Sequence, residues 1–168
     1  LALLGIYERS RDWSQAQAIA EKLDAVEHGS FTTRIAHYQC EQAELAHRQG
    51  DAVRTRELLD EVVRRAPGMA RGWIARSALR AQQGDAPGAL DDLLALAQQA
   101  PQGLPLAARA MADLAQQTGR VDTVRSLLDQ AQARSPAIDV TDALARLAGQ
   151  PAEARHTFVR HLEAEPSL

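Results

Sequence analysis

One short turn recurs along this chain at a fixed distance from a proline. Gly50-Asp51, Gly84-Asp85 and Gly119-Arg120 lie 34 and 35 residues apart, and each glycine is followed 17 residues later by Pro67, Pro101 or Pro136. Self-similarity at a period of roughly 20–50 residues is the mark of stacked supersecondary units, each too small to bury its apolar face alone. Arrays of this kind generally bind other proteins rather than carry out chemistry.

The units align on their glycines. Glycine adopts the left-handed conformation that ends a helix without a Cβ penalty, so each marks the end of a first helix. Proline cannot continue a hydrogen-bonded helix, so each ends a second one. Between them, Leu59, Leu93 and Leu128 hold one repeat position, and Val62, Leu96 and Ala131 follow a turn later on the same face, which predicts a shared core. Two weaker units flank these. Tyr7, Trp13, Ala16 and Ala20 fall at repeat spacing with Arg11-Asp12 in place of the Gly-Asp turn, and Gly149, Ala154, Phe158 and Pro166 restore the pattern after a spacing of 30. The pattern predicts ten helices, over 1–9, 13–27, 31–48, 52–65, 69–83, 86–99, 104–118, 121–134, 138–148 and 151–164. They group into five repeats, 1–30, 31–67, 68–101, 102–136 and 137–168, of a single all-α domain.

Composition agrees with helices and narrows the partners. The chain has 168 residues, 45% hydrophobic but only 4% aromatic, and is rich in strong helix formers. Its net charge of −3 comes from interleaved acids and bases, with no basic block for phosphate-driven nucleic-acid binding. A single cysteine excludes an intrachain disulfide and fits a reducing compartment. No apolar run approaches the roughly 18 residues that span a bilayer, and no secretory signal opens the chain. The apolar start, Leu1 to Tyr7, reads as the middle of a helix, so the sequence is expected to be a segment of a longer protein.

The repeats resemble the tetratricopeptide motif. The third unit carries Trp73, Ser77, Gly84, Ala89, Leu93 and Pro101 at its positions, but has Arg76 and Arg80 where Leu and Tyr are usual. The second carries Ala43, Gly50, Leu59 and Pro67, with Gln42 and Thr55 where Leu and Ala are usual; the fourth carries Met111, Ala112, Gly119, Leu128 and Pro136. These departures suggest loosely packed, individual repeats. The resemblance implies a right-handed superhelix of about five antiparallel helix pairs, with first helices lining a concave groove.

It also implies which positions face a partner. They are His37, Cys40, Glu44 and His47 in the second unit, Arg71 and Ile74 (with Ala78 and Ala81) in the third, and Arg109, Asp113 and Gln116 (with Leu106) in the fourth. In the fifth they are Pro136, Asp139, Ala143 and Arg146. Helical geometry independently places the first four on one stripe, since their spacings are three, four and three. Mixed charge and small apolar residues suit an amphipathic segment. The Lys/Asn/Arg set of the carboxylate-clamp subfamily is absent.

The stripe His37, Cys40, Glu44, His47 spans about 15 Å of helix, too far for one ion, so no metal site is expected. Trp13 and Trp73 sit at core repeat positions. No catalytic Ser/His/Asp or Cys/His arrangement and no phosphate-binding glycine loop is readable, and the scattered histidines are expected to be solvated. The chain is expected not to be an enzyme.

Residues 1–45 carry a more specific resemblance. Leu3-Leu4-Gly-Ile-Tyr7, Asp12-Trp13-Ser-Gln-Ala16, Ala18-Ile19-Ala20-Glu21-Lys-Leu23 and Arg34-Ile-Ala-His-Tyr-Gln-Cys-Glu-Gln-Ala43 are similar to the lipopolysaccharide assembly protein B family, with Gln42 in place of the usual Leu. That resemblance implies a non-catalytic adaptor on the cytoplasmic face of the bacterial inner membrane. Its partners would be a membrane-bound AAA+ metalloprotease and the lipid A pathway deacetylase that the protease degrades. The family's membrane anchor and zinc module would lie outside these residues, so no cofactor is expected within them. A homodimer is compatible with the exposed ends of a repeat array. The alternative is a general scaffold for a secretion, pilus or envelope complex.

Overall fold

The computed structural model describes residues 2–149 and 151–164, and among them the chain is entirely helical. The helices are α1 (Ala2–Ser10), α2 (Trp13–Val26), α3 (Thr32–Arg48), α4 (Ala52–Arg65), α5 (Ala70–Gln82), α6 (Ala86–Gln99), α7 (Leu104–Thr118), α8 (Val121–Arg134), α9 (Ile138–Leu147) and α10 (Pro151–Ala164). A 3-10 turn, Pro101–Gly103, leads into α7. All ten helices expected from the repeat pattern are present. Leu1 and Pro166, and the side chain of Ala154, lie outside the described residues.

The turns explain why the period is so legible. Gly50, Gly84 and Gly119 adopt φ of 78°, 83° and 71°, the left-handed region that lets the chain reverse after a first helix. The aspartate that follows serves the next helix. Asp51 and Asp85 each accept a hydrogen bond from a backbone N–H three residues on, Arg54 and Gly88, both at 2.9 Å. Asp12 does the same for Gln15 at 3.1 Å, while Arg11 takes the left-handed backbone (φ 56°) without the advantage of being glycine. Arg120, which stands where the other turns carry an aspartate, makes no such cap; it reaches back to Asp91 on α6 at 2.6 Å. Before the prolines, Ala66, Ala100 and Ser135 leave the helix with φ of −133°, −142° and −151°, as the proline ring requires of its predecessor.

One expected turn differs. Gly149 does not take the left-handed conformation, and α9 ends instead on Ala148 in extended backbone (φ −64°, ψ 133°). The shorter spacing of this unit leaves α9 a turn or more shorter than α3 or α7.

The chain forms two compact units, Leu1–Leu79 and Arg80–Leu168, with the boundary inside α5. In the first, consecutive helices α1 to α4 pack on one another. One core cluster joins Leu4, Ala16, Ala20, Phe31, Ile35 and Tyr38; a second joins Ala43, Leu58, Leu59 and Leu79; a third joins Ala36, Cys40 and Val62. Gly72 permits α5 to approach α4 closely, since a Cβ there would fall 2.5 Å from Val62 Cγ1. In the second unit, α6 packs on α7, α7 on α8 and α9, and α9 on α10. Its core holds Leu93, Leu96, Met111, Val124, Leu128 and Val140, all buried. Leu59, Leu93 and Leu128 are therefore core residues, as the repeat alignment predicts.

The departures from the motif are not loosely packed. Arg76 pairs with Asp60 of α4 at 2.9 Å and lies over the Trp73 ring, 5.0 Å from its centre. Arg80 pairs with the buried Asp92 of α6 at 3.3 Å and donates to the Gly88 carbonyl at 3.1 Å. Gln42 donates to Gln17 at 2.7 Å, and the Thr55 hydroxyl donates to the Asp51 carbonyl at 2.7 Å. Polar partners replace apolar contacts at each of these positions, because a buried polar atom without one is costly.

Candidate partner-binding surface

In the first unit the stripe is built on α3 and the start of α5. His37, Glu44 and His47 are exposed on one face of α3, two turns and then one turn apart, and Ile74 is half-buried on α5. Cys40 departs from the expectation: it is 3% exposed and packs against Ala36 and Val62, with its Sγ 3.8 Å from Met69 Sδ. It belongs to the core rather than to a surface a partner can reach. Burial pushes its thiol up to about 11, with the Glu41 charge acting in the same sense and Arg71 against it. Among the described residues no cluster of three His, Cys, Asp or Glu groups could hold a metal ion.

Arg71 ties α5 to α3. It donates to Glu41 at 2.6 Å and to Glu44 at 3.0 Å, and Arg48 adds a 3.4 Å pair to Glu44. Burial alone would lower the Arg71 pKa; the hydrogen bond to Glu41 and the two carboxylate charges outweigh it and raise it. Two residues expected to meet a partner, Glu44 and Arg71, thus meet each other. Glu41 completes this set and was not part of the expected stripe; its signal is the Glu-x-x-Glu spacing that sets both carboxylates on one face.

A second grouping lies around His37. Glu8 of α1 pairs with Arg34 at 3.5 Å and accepts a hydrogen bond from the Tyr38 hydroxyl. Arg34 lies over the Phe31 ring at 5.9 Å, and Trp13 stacks on Tyr38 at 6.0 Å. Burial, then the hydrogen bond to Glu8 and its charge, hold the Tyr38 phenol well above its ordinary value. Beside these groups is an open depression of about 760 Å³ whose walls include His37, Arg34, Phe31, Glu8, Glu27 and Met69. Of the expected stripe only His37 lines it. Arg34 lies one helical turn before His37, which is the signal that could have drawn it in.

In the second unit, Arg109, Asp113 and Gln116 are exposed on α7, with Leu106 76% exposed a turn before Arg109. Gln116 donates to the Arg146 carbonyl on α9 at 2.9 Å, and Arg146 pairs with Asp142 at 2.8 Å. Pro136, Asp139 and Arg146 are exposed, whereas Ala143 is fully buried. Arg109 has no ion-pair partner among the described residues.

Helical hairpins closed by left-handed glycines, with paired first-helix positions left at the surface, define the tetratricopeptide-repeat class of fold. Solved structures agree. The chain superposes on MamA protein with a TM-score of 0.58 at 14% identity, covering 97% of this chain and 88% of that one. It superposes on a tetratricopeptide repeat protein from Parabacteroides merdae with a TM-score of 0.60 at 14% identity, covering 99% and 65%. Against the kinesin-light-chain-like repeats of Podosopora anserina the TM-score is 0.57 at 19% identity, covering 99% and 94%. At these identities the likeness is one of fold. No protein-family model and no curated protein matches the sequence.

Proposed function

We propose that this chain is a non-catalytic protein-binding adaptor that helps a membrane-bound AAA+ metalloprotease degrade the lipid A pathway deacetylase, restraining lipopolysaccharide synthesis. The fold supports the general part of this reading, since the superposed repeat structures are of one architecture and repeat faces serve as binding surfaces. The specific part rests on residues 1–45, where Ile6-Tyr7, Trp13 and Ile35-Ala-His-Tyr-Gln-Cys40 resemble the lipopolysaccharide assembly protein B family. In this reading the anchor to the inner membrane and the zinc module belong to segments outside these residues; no helix among those described is long and apolar enough to cross a membrane.

The test is a pull-down with the purified protease and the purified deacetylase. Retention of either one, lost when His37, Glu44 and Arg109 are all replaced by Ala with helicity intact, is the expected result. Retention of neither sinks the lipopolysaccharide reading. Retention undiminished by the triple substitution moves the interface off the first-helix stripe.

A further inference from the structure

Helix α10 is seated on a hydrogen-bond network that is one bond short. Gln132 of α8 accepts from the Ala137 N–H at 3.1 Å, which fixes its carbonyl oxygen. Its amide nitrogen faces Thr141 Oγ1 at 2.9 Å and His161 Nδ1 at 3.1 Å. The Thr141 hydroxyl donates its own proton to the Ala137 carbonyl at 3.1 Å. Gln132 must therefore donate to both, His161 Nδ1 must accept, and the imidazole proton sits on Nε2. That N–H is buried and has no partner. An unmade hydrogen bond on a buried donor costs about as much as an ordinary hydrogen bond contributes, or more.

Three further features weaken the same seat. His161 is 4% exposed, and no other described side chain of α10 is buried. Phe158, Val159 and Leu162 point outward, 37%, 44% and 56% exposed. A half-open pocket of about 140 Å³ beside the ring, walled in part by Ala133, Pro136 and Leu144, brings solvent to the edge of the seat. The link through Ala148 lacks the left-handed glycine turn that closes the hairpins after α3, α5 and α7. By contrast α9 is held without α10, because Gln116 donates to the Arg146 carbonyl and Arg125 to the Leu147 carbonyl.

We propose that α10 is a detachable helix: it opens as a unit about the Ala148–Gly149 link while α7, α8 and α9 stay folded, uncovering the seat formed by Gln132, Thr141 and Leu144. Local opening of this kind sets hydrogen-exchange rates below the limit of global unfolding. The test is hydrogen exchange by mass spectrometry on the 168-residue chain and two variants. In the parent, α10 amides should exchange on the order of 100-fold faster than those of α9. Met111→Ala, a cavity in the α7 core, should speed exchange in α7 to α9 and leave α10 where it was. His161→Leu removes the orphaned donor and leaves Gln132 its bond to Thr141, so α10 exchange should slow about tenfold. Protection of α10 equal to that of α9, a rise in α10 rates together with α9 in Met111→Ala, or no slowing in His161→Leu would each overturn the proposal.

Discussion

The α3–α5 stripe and the α7–α9 stripe occupy the same repeat positions and offer a partner different things. On the first, Arg71 lies between Glu41 and Glu44, and Cys40 has turned into the core. On the second, Arg109 and Leu106 are exposed on α7, and Gln116 is drawn into a bond with the α9 backbone. A shared backbone register sets which residues can face outward. Whether they remain available depends on the charge one helix away, which the repeat does not fix.

Substitutions in the two units test this contrast. Leu59→Ala and Leu128→Ala each remove a buried leucine from one of the two units, and each should cost about 2–5 kcal/mol in denaturant unfolding. If the units unfold separately, each substitution will shift its own transition alone; a single shifted transition in both variants would make the contrast one of surface only. Cys40 should react with an alkylating reagent near pH 8 on the order of 100-fold more slowly than an unhindered thiol, because its raised pKa of about 11 leaves little thiolate. The rate should climb with pH toward that value, whereas ordinary reactivity at pH 8 would return Cys40 to the accessible stripe.

Asp92→Ala breaks the pair with Arg80, whose side chain is about a third exposed. It should cost about 1–2 kcal/mol, below the range for a fully buried pair because solvent screens the arginine. The same measurement on Asp60→Ala, where the carboxylate is half exposed, should give under about 1 kcal/mol. Arg71→Ala should change stability by about 0–1 kcal/mol for the same reason. Arg71→Ala and Arg109→Ala sharpen the comparison most directly when partner binding is read. The arginine already occupied by two carboxylates should matter less than the one without an ion-pair partner among the described residues, and the reverse order would mean that a partner displaces Glu41 and Glu44.

Much of the fold was legible because its signals are local. Gly50, Gly84 and Gly119 end helices through their own backbone freedom, and Asp12, Asp51 and Asp85 begin them through a bond to a residue three positions away. Gly149 looked the same in sequence and behaves differently, since its unit is shorter and its helix leaves in extended backbone. The candidate surface was less legible. His37, Arg109 and Asp113 are exposed as the helical period requires, yet Cys40 and Ala143 share that period and are buried. Arg76 and Arg80 read as breaks in the motif until Asp60 and Asp92 supplied their partners from the neighbouring helices.

By itself the sequence determined the helices, their caps and the leucine positions of the core, because each depends on bonds and spacings within a few residues. Tertiary structure alone decided that Arg71 is shared between two glutamates, that the Cys40 thiol lies against Met69, and that His161 is the buried anchor of α10 rather than a solvated histidine. Those outcomes depend on which side chain from another helix arrives within about 3–4 Å, and a one-dimensional period carries no record of that distance.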